Sequence, residues 1–283
     1  AAQFALPLQW LDNPSFFNTP QQNAALFGKR EQRFFMADFY KKQRERLGIL
    51  LTDTGAPIGG QWSYDADNRK ALPKGLALPS FPVYQSTWSR AAQETIAIDF
   101  SSHPGNPDLS NYPVTHQEAK AALSYFIEHN LQFFGPYQDA FSPDSTFVFH
   151  SNLSAALNIG LLLPNEVVEQ VLAAYQKGSV SIESTEGFIR QVIGWREFIR
   201  AVYEKVGVEQ RTKNAMQHHR PLNWSHLKDL SLFHHVGQKL EQHAYAHHIE
   251  RLMLLGNFFF LAETDPDEVY RFFMSYFIDA YDW

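Results

Sequence analysis

The chain contains no cysteine. Disulfides, thiolate-held zinc, Cys-ligated iron–sulfur clusters and a Cys nucleophile are therefore excluded within its 283 residues. Long apolar runs are also absent. The stretch Asn257-Phe-Phe-Phe-Leu-Ala262 falls far short of the roughly 18 residues a membrane span needs, so no membrane partner is expected. No basic-then-apolar leader opens the chain, which makes a cytoplasmic location the default expectation. The chain starts Ala-Ala-Gln, without Met, as a processed product or a fragment would. Positive charge is not in excess. The formal net charge of −6 argues against coating nucleic acid by bulk charge, although it leaves room for a local basic groove. Neither a GxGxxG nor a GxxxxGK[ST] pattern is present, so a Rossmann or P-loop nucleotide site is unsupported. No repeat of about 20–50 residues is visible.

Aromatics are abundant: 24 Phe, 12 Tyr and 6 Trp. With 45% hydrophobic and 19% charged residues, the chain can bury a sizeable core. Most of these rings belong to that core, but a flat cofactor or an unstacked base also requires aromatic walls.

Local patterns divide the chain into three. Residues 1–47 read as an irregular, proline-punctuated approach followed by a helical segment at 23–47. That segment carries Lys29, Arg30, Arg33, Lys41, Lys42, Arg44 and Arg46, a face that is either merely solvated or able to meet phosphate. Residues 48–113 are rich in proline and glycine and keep no helical period except around Ser89–Glu94, so they read as a linker wrapping one part onto another. Residues 114–283 read as all-helical. Thr115-His-Gln-Glu118 is a capping box, Phe133–Tyr137 breaks the helix it starts, and Pro164 opens the next, which stops near Gly178. Thr185–Val206 and Leu230–Leu255 each fit one long helix. Asp265-Pro266 starts a last helix expected to run on to Trp283.

Three constellations carry chemistry. His243, His247 and His248 crowd into one stretch of helical character with Tyr245 and Arg251. His243 and His247 stand at i, i+4, which can hold a metal, but the zincin pattern needs Glu where Ala244 stands; a structural polar seam is the plainer reading. His150-Ser151-Asn152-Leu153-Ser154 places hydroxyl and amide groups at a helix start, which serves either as a cap or as a pyrophosphate cradle. Gln191-Val-Ile-Gly-Trp195-Arg196-Glu197 either forms a buried ion-pair network or presents an indole and a guanidinium to a ligand.

In order, Gly59–Arg69, Phe134–Ala140, His150–Leu162, Gly194–Glu197, Tyr245–Met253 and Asp279–Trp283 resemble the bacterial photolyase-related proteins. These form the branch of the photolyase/cryptochrome superfamily that usually carries an iron–sulfur cluster and includes bacterial (6-4) photolyases. The resemblance implies a mainly α, all-helical FAD-binding domain over 114–283. It implies light-driven repair of UV-induced pyrimidine lesions in DNA, single-stranded or flipped from duplex, by an electron from reduced FAD. The alternative is a cryptochrome-like blue-light sensor or a non-catalytic DNA-binding relative.

Carried over by motif, the resemblance puts Tyr137, His150, Ser151, Asn152, Leu153 and Ser154 on the phosphate and ribityl side of the flavin. Gln191 and Arg196 would lie along it, with Trp195 near the lesion. His248 would stand between flavin and lesion, with His247 beside it as proton donor. Arg251 would pair with Asp279 beside the ring system, close to Tyr281. Trp224 falls where the family has an inner electron-relay tryptophan, whereas Phe272-Phe273 replace its Trp-Tyr pair. Leu232 stands at the first cluster-cysteine position, so no iron–sulfur cluster and no other metal is expected. Residues 1–47 would be a remnant or the end of the antenna-domain region, and the helical domain would be incomplete at its C-terminus.

Overall fold

A buried charge network explains why the proline- and glycine-rich segment stays on the helical body. In the computed structural model, which describes residues 9, 11–27, 34–108 and 110–282, Arg190 donates to Glu186 at 3.2 Å and to Asp65 at 2.9 Å. The other Glu186 oxygen accepts the Tyr64 N–H at 2.9 Å. Asn68, with its amide in the satisfied orientation, accepts from Arg190 and donates to the Tyr64 and Gly135 carbonyls. Farther along, Arg44 is almost fully buried and gives its guanidinium to the carbonyls of Ile49, Leu50 and Trp62. Arg44 is therefore structural, not a phosphate ligand. Lys42 likewise reaches the Leu26 carbonyl, while Lys29, Arg30 and Arg33 lie outside the described residues.

The described residues are mainly helical. Before the linker come α1 (Pro20–Phe27) and α2 (Met36–Leu47), and within it α3 (Thr87–Asp99). Thr115 caps α4 (His116–Tyr125) in the expected capping box, since its hydroxyl meets the Glu118 N–H and Glu118 returns to the Thr115 N–H. A π-helical turn (Phe126–Asn130) carries that helix into α5 (Leu131–Tyr137). The break expected at Phe133 falls only after Tyr137, because Pro136 is accommodated inside the helix. Next come α6 (Ser154–Asn158) and α7 (Pro164–Gln176), which begins on its proline and buries Val167, Val168, Val171 and Ala174 along one face. The long helix expected at 185–206 runs as α8 (Ile182–Ile189), a π-helical turn (Arg190–Arg196) and α9 (Glu197–Arg211).

The expected 230–255 helix is not continuous. After α10 (Trp224–Leu227), α11 (Ser231–His243) ends where Ala244 turns left-handed at φ 49°. A new start follows at a third π-helical turn (Glu250–Gly256), leading into α12 (Asn257–Leu261). His243 and His247 consequently do not share a helix face. The last helix, α13 (Pro266–Tyr276), is capped by Asp265 as expected but stops at Tyr276. Phe277 is extended and turns residues 277–282 back over the body, where the Ile278 N–H meets the Ala244 carbonyl at 2.9 Å. Trp283 lies outside the described residues.

Four apolar clusters form among the described residues, two of them large. The larger joins α4, α5, α7 and α8 with Tyr40, Ile49 and Leu50 from the N-terminal part, and centres on Phe126, Phe134 and Phe188. Each fully buried ring of this kind contributes about 1.5–3 kcal/mol. Gly135 allows α5 to touch α8, because a Cβ there would lie 2.7–2.9 Å from Ser184 atoms. The second core gathers Trp224, Phe233, Leu240, Leu255, Phe259, Phe272 and Phe277.

Replacing Arg190 by Met leaves the fully buried Glu186 without its cation. The expected loss is about 3–5 kcal/mol, read from the urea midpoint. A shift under about 1 kcal/mol would show that the network does not hold the segment.

Candidate functional site

Beside the larger core, a cleft of about 210 Å3 opens. Phe134 and Phe188 of that core line it with Gln191 of the second π-helical turn, and Tyr245, His247, His248 and Arg251 line it from the segment after α11. His150, Ser151, Asn152 and Ser154 close a third side, and the returning C-terminal segment adds Asp279. Two of the three π-helical turns supply wall residues, Gln191 and Arg251, in keeping with the frequent use of such turns at functional sites.

Three imidazoles touch in series. His150 and His247 stack at 4.1 Å between centroids and 21° between planes, and His247 meets His248 at 4.1 Å. Both His150 Nε2 (3.3 Å) and His247 Nε2 (2.9 Å) face the same acceptor, the Gln138 carbonyl. A carbonyl cannot donate, so each ring carries its proton on Nε2. His247 Nδ1 then accepts the Ile249 N–H at 3.4 Å, whereas His150 Nδ1 is buried with no partner. Burial, helped by the neighbouring imidazole of His248, pushes the His150 pKa down to about 3. Burial also holds His247 far below the ordinary histidine range. Both are therefore neutral near pH 7. His248 differs, since 45% of its side chain is exposed and its Nε2 lies 3.2 Å from Asp139 Oδ1. Burial lowers its pKa while Asp139 works in the opposite direction.

In the same cleft, Arg251 makes a two-point pair with Asp279, at 2.8 and 3.1 Å, and gives its Nε to the Ala246 carbonyl. Its guanidinium also covers the Phe277 ring at 4.4 Å and faces the Tyr245 ring at 5.2 Å. The predicted cradle is partly engaged. Ser154 Oγ donates to Asp279 Oδ2 at 3.1 Å, and Asn158 donates to the Asp279 carbonyl at 3.0 Å. With only five residues in α6, the cradle has a single helical turn behind it and no extended helix dipole.

The other predicted residues lie elsewhere. Tyr137 packs on Phe149 at 5.8 Å, and Leu153 is buried in the larger core. Arg196 donates to the Ser15 carbonyl at 2.8 Å and stacks on Phe16, and burial lowers its pKa to about 10. Glu197 beside it is buried and accepts the Phe17 N–H, so the Arg196-Glu197 pair anchors residues 15–17. Trp195 is 42% exposed, with its ring edge on Phe198. Tyr281 is exposed. Trp224 is buried against Phe272 at 4.8 Å, and its indole N–H has no partner. Gln138 and Asp139 were missed by sequence reasoning. They lie within the Phe134–Ala140 stretch of the resemblance, but act through a main-chain carbonyl and an ordinary Asp in a loop, to which that stretch assigned no role.

The donor set suits part of a flavin dinucleotide: aromatic walls, a partnered cation, hydroxyls and an orphaned imidazole acceptor. At about 210 Å3 the cleft is smaller than the roughly 300–1,000 Å3 of drug-sized ligand sites, so these residues enclose only part of such a molecule.

Known proteins share parts of this sequence. Residues 1–112 match the sequence model of the deoxyribodipyrimidine photo-lyase-related protein family. Over 252 residues, 88% of the chain, the sequence is 35% identical to a (6-4) photolyase of Agrobacterium fabrum, and the match covers 50% of that protein. A 71-residue stretch, 25% of the chain, is 38% identical to an uncharacterized protein of Acanthamoeba polyphaga mimivirus, covering 54% of it. The chain thus spans about half the length of the curated relatives it matches.

The histidine pair gives a pH prediction. A histidine whose folded pKa is depressed to about 3 from 6.5 disfavours the folded state once the unfolded chain takes up protons. Stability contributed by neutral His150 is complete above pH 6.5 and is lost as pH falls toward 3. Replacing His150 by Gln should flatten the dependence of the urea midpoint on pH across that window. A profile parallel to that of the parent chain would show that His150 is not held neutral.

Proposed function

We propose that the chain forms flavin-binding and lesion-facing parts of a photolyase-like protein that acts on UV-damaged pyrimidines in DNA. The observation that carries this reading is that the Arg251–Asp279 pair lines the same cleft as His247 and His248. Similarity to a (6-4) photolyase over most of the chain supports it.

FAD bound here would supply, when reduced and illuminated, the electron that opens the photoproduct. Ser151, Ser154, Asn152 and Gln191 are the side chains we assign to its polar groups. Arg251 and Asp279 would fix the charge beside it: the guanidinium favours negative charge nearby, and its two-point carboxylate keeps the cation tolerable at partial burial. Phe134, Phe188 and Tyr245 exclude water, which strengthens those electrostatic contacts. His150 and His247 remain neutral and rigid, so they place the wall without adding charge. His248, exposed and next to a carboxylate, is the imidazole best placed to hold a proton for a substrate. Exposed Trp195 offers an indole face for a displaced base, and such stacking contributes about 1–3 kcal/mol per base. Trp224, in ring contact with Phe272 and Tyr276, is the candidate inner electron relay, because the Phe rings around it are much harder to oxidise.

Two measurements test the reading. The chain, purified or reconstituted with FAD, is expected to show flavin absorption that Arg251→Ala weakens, and to remove pyrimidine photoproducts only in light under reducing conditions. Binding to UV-irradiated single-stranded DNA should weaken with salt at a log–log slope of about 0.7 per phosphate contact. No flavin uptake would overturn the cofactor assignment. Flavin uptake without light-dependent loss of photoproducts would point to a sensor or a non-catalytic relative, and a salt-independent affinity would count against the DNA role.

A further inference from the structure

Two consecutive residues orient all three imidazoles of the cleft. The Gln138 carbonyl takes the Nε2 protons of His150 and His247, and the neighbouring Asp139 carboxylate lies 3.2 Å from His248 Nε2. The rings of His150 and His247 hydrogen-bond to no carboxylate among the described residues and are closed from solvent, at 7% and 2% exposure. His248 is half-open, and its ring meets the only carboxylate hydrogen-bonded to an imidazole of the cluster among the described residues. Asp139 is itself braced by Arg69, whose Nε lies 3.9 Å from its other oxygen and which also pairs with Asp65. The charged groups around His248 are therefore Asp139 and Arg69 from the loops, Arg251 from the π-helical turn, and Asp279, which neutralises Arg251.

We propose that Asp139 is the positioning residue for His248: by accepting the Nε2–H it leaves Nδ1 as the atom at which His248 takes up and releases its proton. A carboxylate can only accept, so the neutral ring must keep its hydrogen on Nε2. When His248 is cationic, the proton that leaves is the one on Nδ1. It passes to an oxygen or nitrogen of the bound pyrimidine lesion, and the Nε2–H stays on Asp139. The lone pair left on Nδ1 is reprotonated from solvent through the exposed side of the ring. The identity of the proton acceptor rests on the function proposed above; the tautomer and its cause do not.

Nitrogen NMR of the full chain with 15N-labelled histidine tests this without flavin or DNA, the three signals being assigned by single substitutions. His248 is expected as the Nε2–H tautomer when neutral. In Asp139→Asn, which can donate as well as accept, both tautomers should be populated and the titration midpoint should move to lower pH. Asp139→Glu should restore the parent pattern, while His150 and His247 stay Nε2–H throughout and report that the fold is intact. An Nδ1–H tautomer in the parent chain, or an unchanged His248 titration in Asp139→Asn, would overturn the proposal. The NMR result can hold while lesion repair fails, which would sink the functional reading and leave Asp139 as the positioning residue.

Discussion

The cleft depends on one buried ion pair. Lys239 of α11 and Glu250 of the third π-helical turn meet at 2.7 Å with about 5% and 3% of their side chains exposed. Neither charge is tolerable there alone, and each has a second partner: Lys239 donates to the Ser142 carbonyl, and Glu250 accepts the His247 N–H at 2.9 Å. Three pieces of chain are thereby fixed to one another: α11, the loop after Gln138, and the backbone that carries His247 and His248. The arrangement does for this restart what a capping box does for a helix. Its carboxylate caps a backbone N–H three residues before it, in an interior where no water can substitute. The left-handed Ala244 follows from the same restraint. An alanine at φ 49° costs roughly 1 kcal/mol, and it persists because both sides are tied. Its carbonyl holds Ile278, and the His243 carbonyl before it accepts the Tyr112 hydroxyl at 2.7 Å.

With the backbone fixed this way, the electrostatics of the site follow from burial. Placing three histidines side by side in a low-dielectric wall makes more than one positive charge there prohibitive. The cluster resolves this by surrendering two of them. His150 and His247 share one carbonyl and remain neutral, and the ability to change charge is concentrated in the ring nearest solvent. Arg251 adds a permanent positive charge nearby, which further disfavours protonation of His247 and His248. Asp279 reduces that penalty, and so its pairing matters for proton chemistry as well as for holding residues 277–282. A single carboxylate thus closes the C-terminal segment, occupies Ser154 and moderates the charge felt by the histidines.

Sequence revealed those parts of the fold that are written locally. Thr115 with Glu118, Pro164 and Asp265-Pro266 mark helix starts through groups within three residues of each other, and all three starts stand. Apolar periodicity also announced the helical body. It could not show the π-helical turns, because one inserted residue leaves composition and period almost unaltered. Nor could it show the break at Ala244, since the usual glycine signal is missing. The 59–69 segment was legible as a motif but not as a bolt: Asp65 and Arg190 lie 125 residues apart, and their pairing is a fact of packing. In the cleft, Arg251 and Asp279 came from the family resemblance rather than from spacing. Gln138 was invisible, because the working atom is a main-chain oxygen that any residue could supply.

That contrast explains which positions tolerate change. Gln138 contributes through its carbonyl, so side-chain substitution there leaves the two tautomers defined as long as the backbone keeps its place. Asp139 contributes through its side chain, and no backbone group can take over a carboxylate's charge. The cleft therefore separates rigidity from chemistry along the chain. Its neutral, stacked part is held by main-chain geometry and by the Lys239–Glu250 pair, while its titrating part hangs on one partly exposed side chain. A wall built this way can keep its shape while the proton affinity of His248 is adjusted independently, and the two functions need not be altered together.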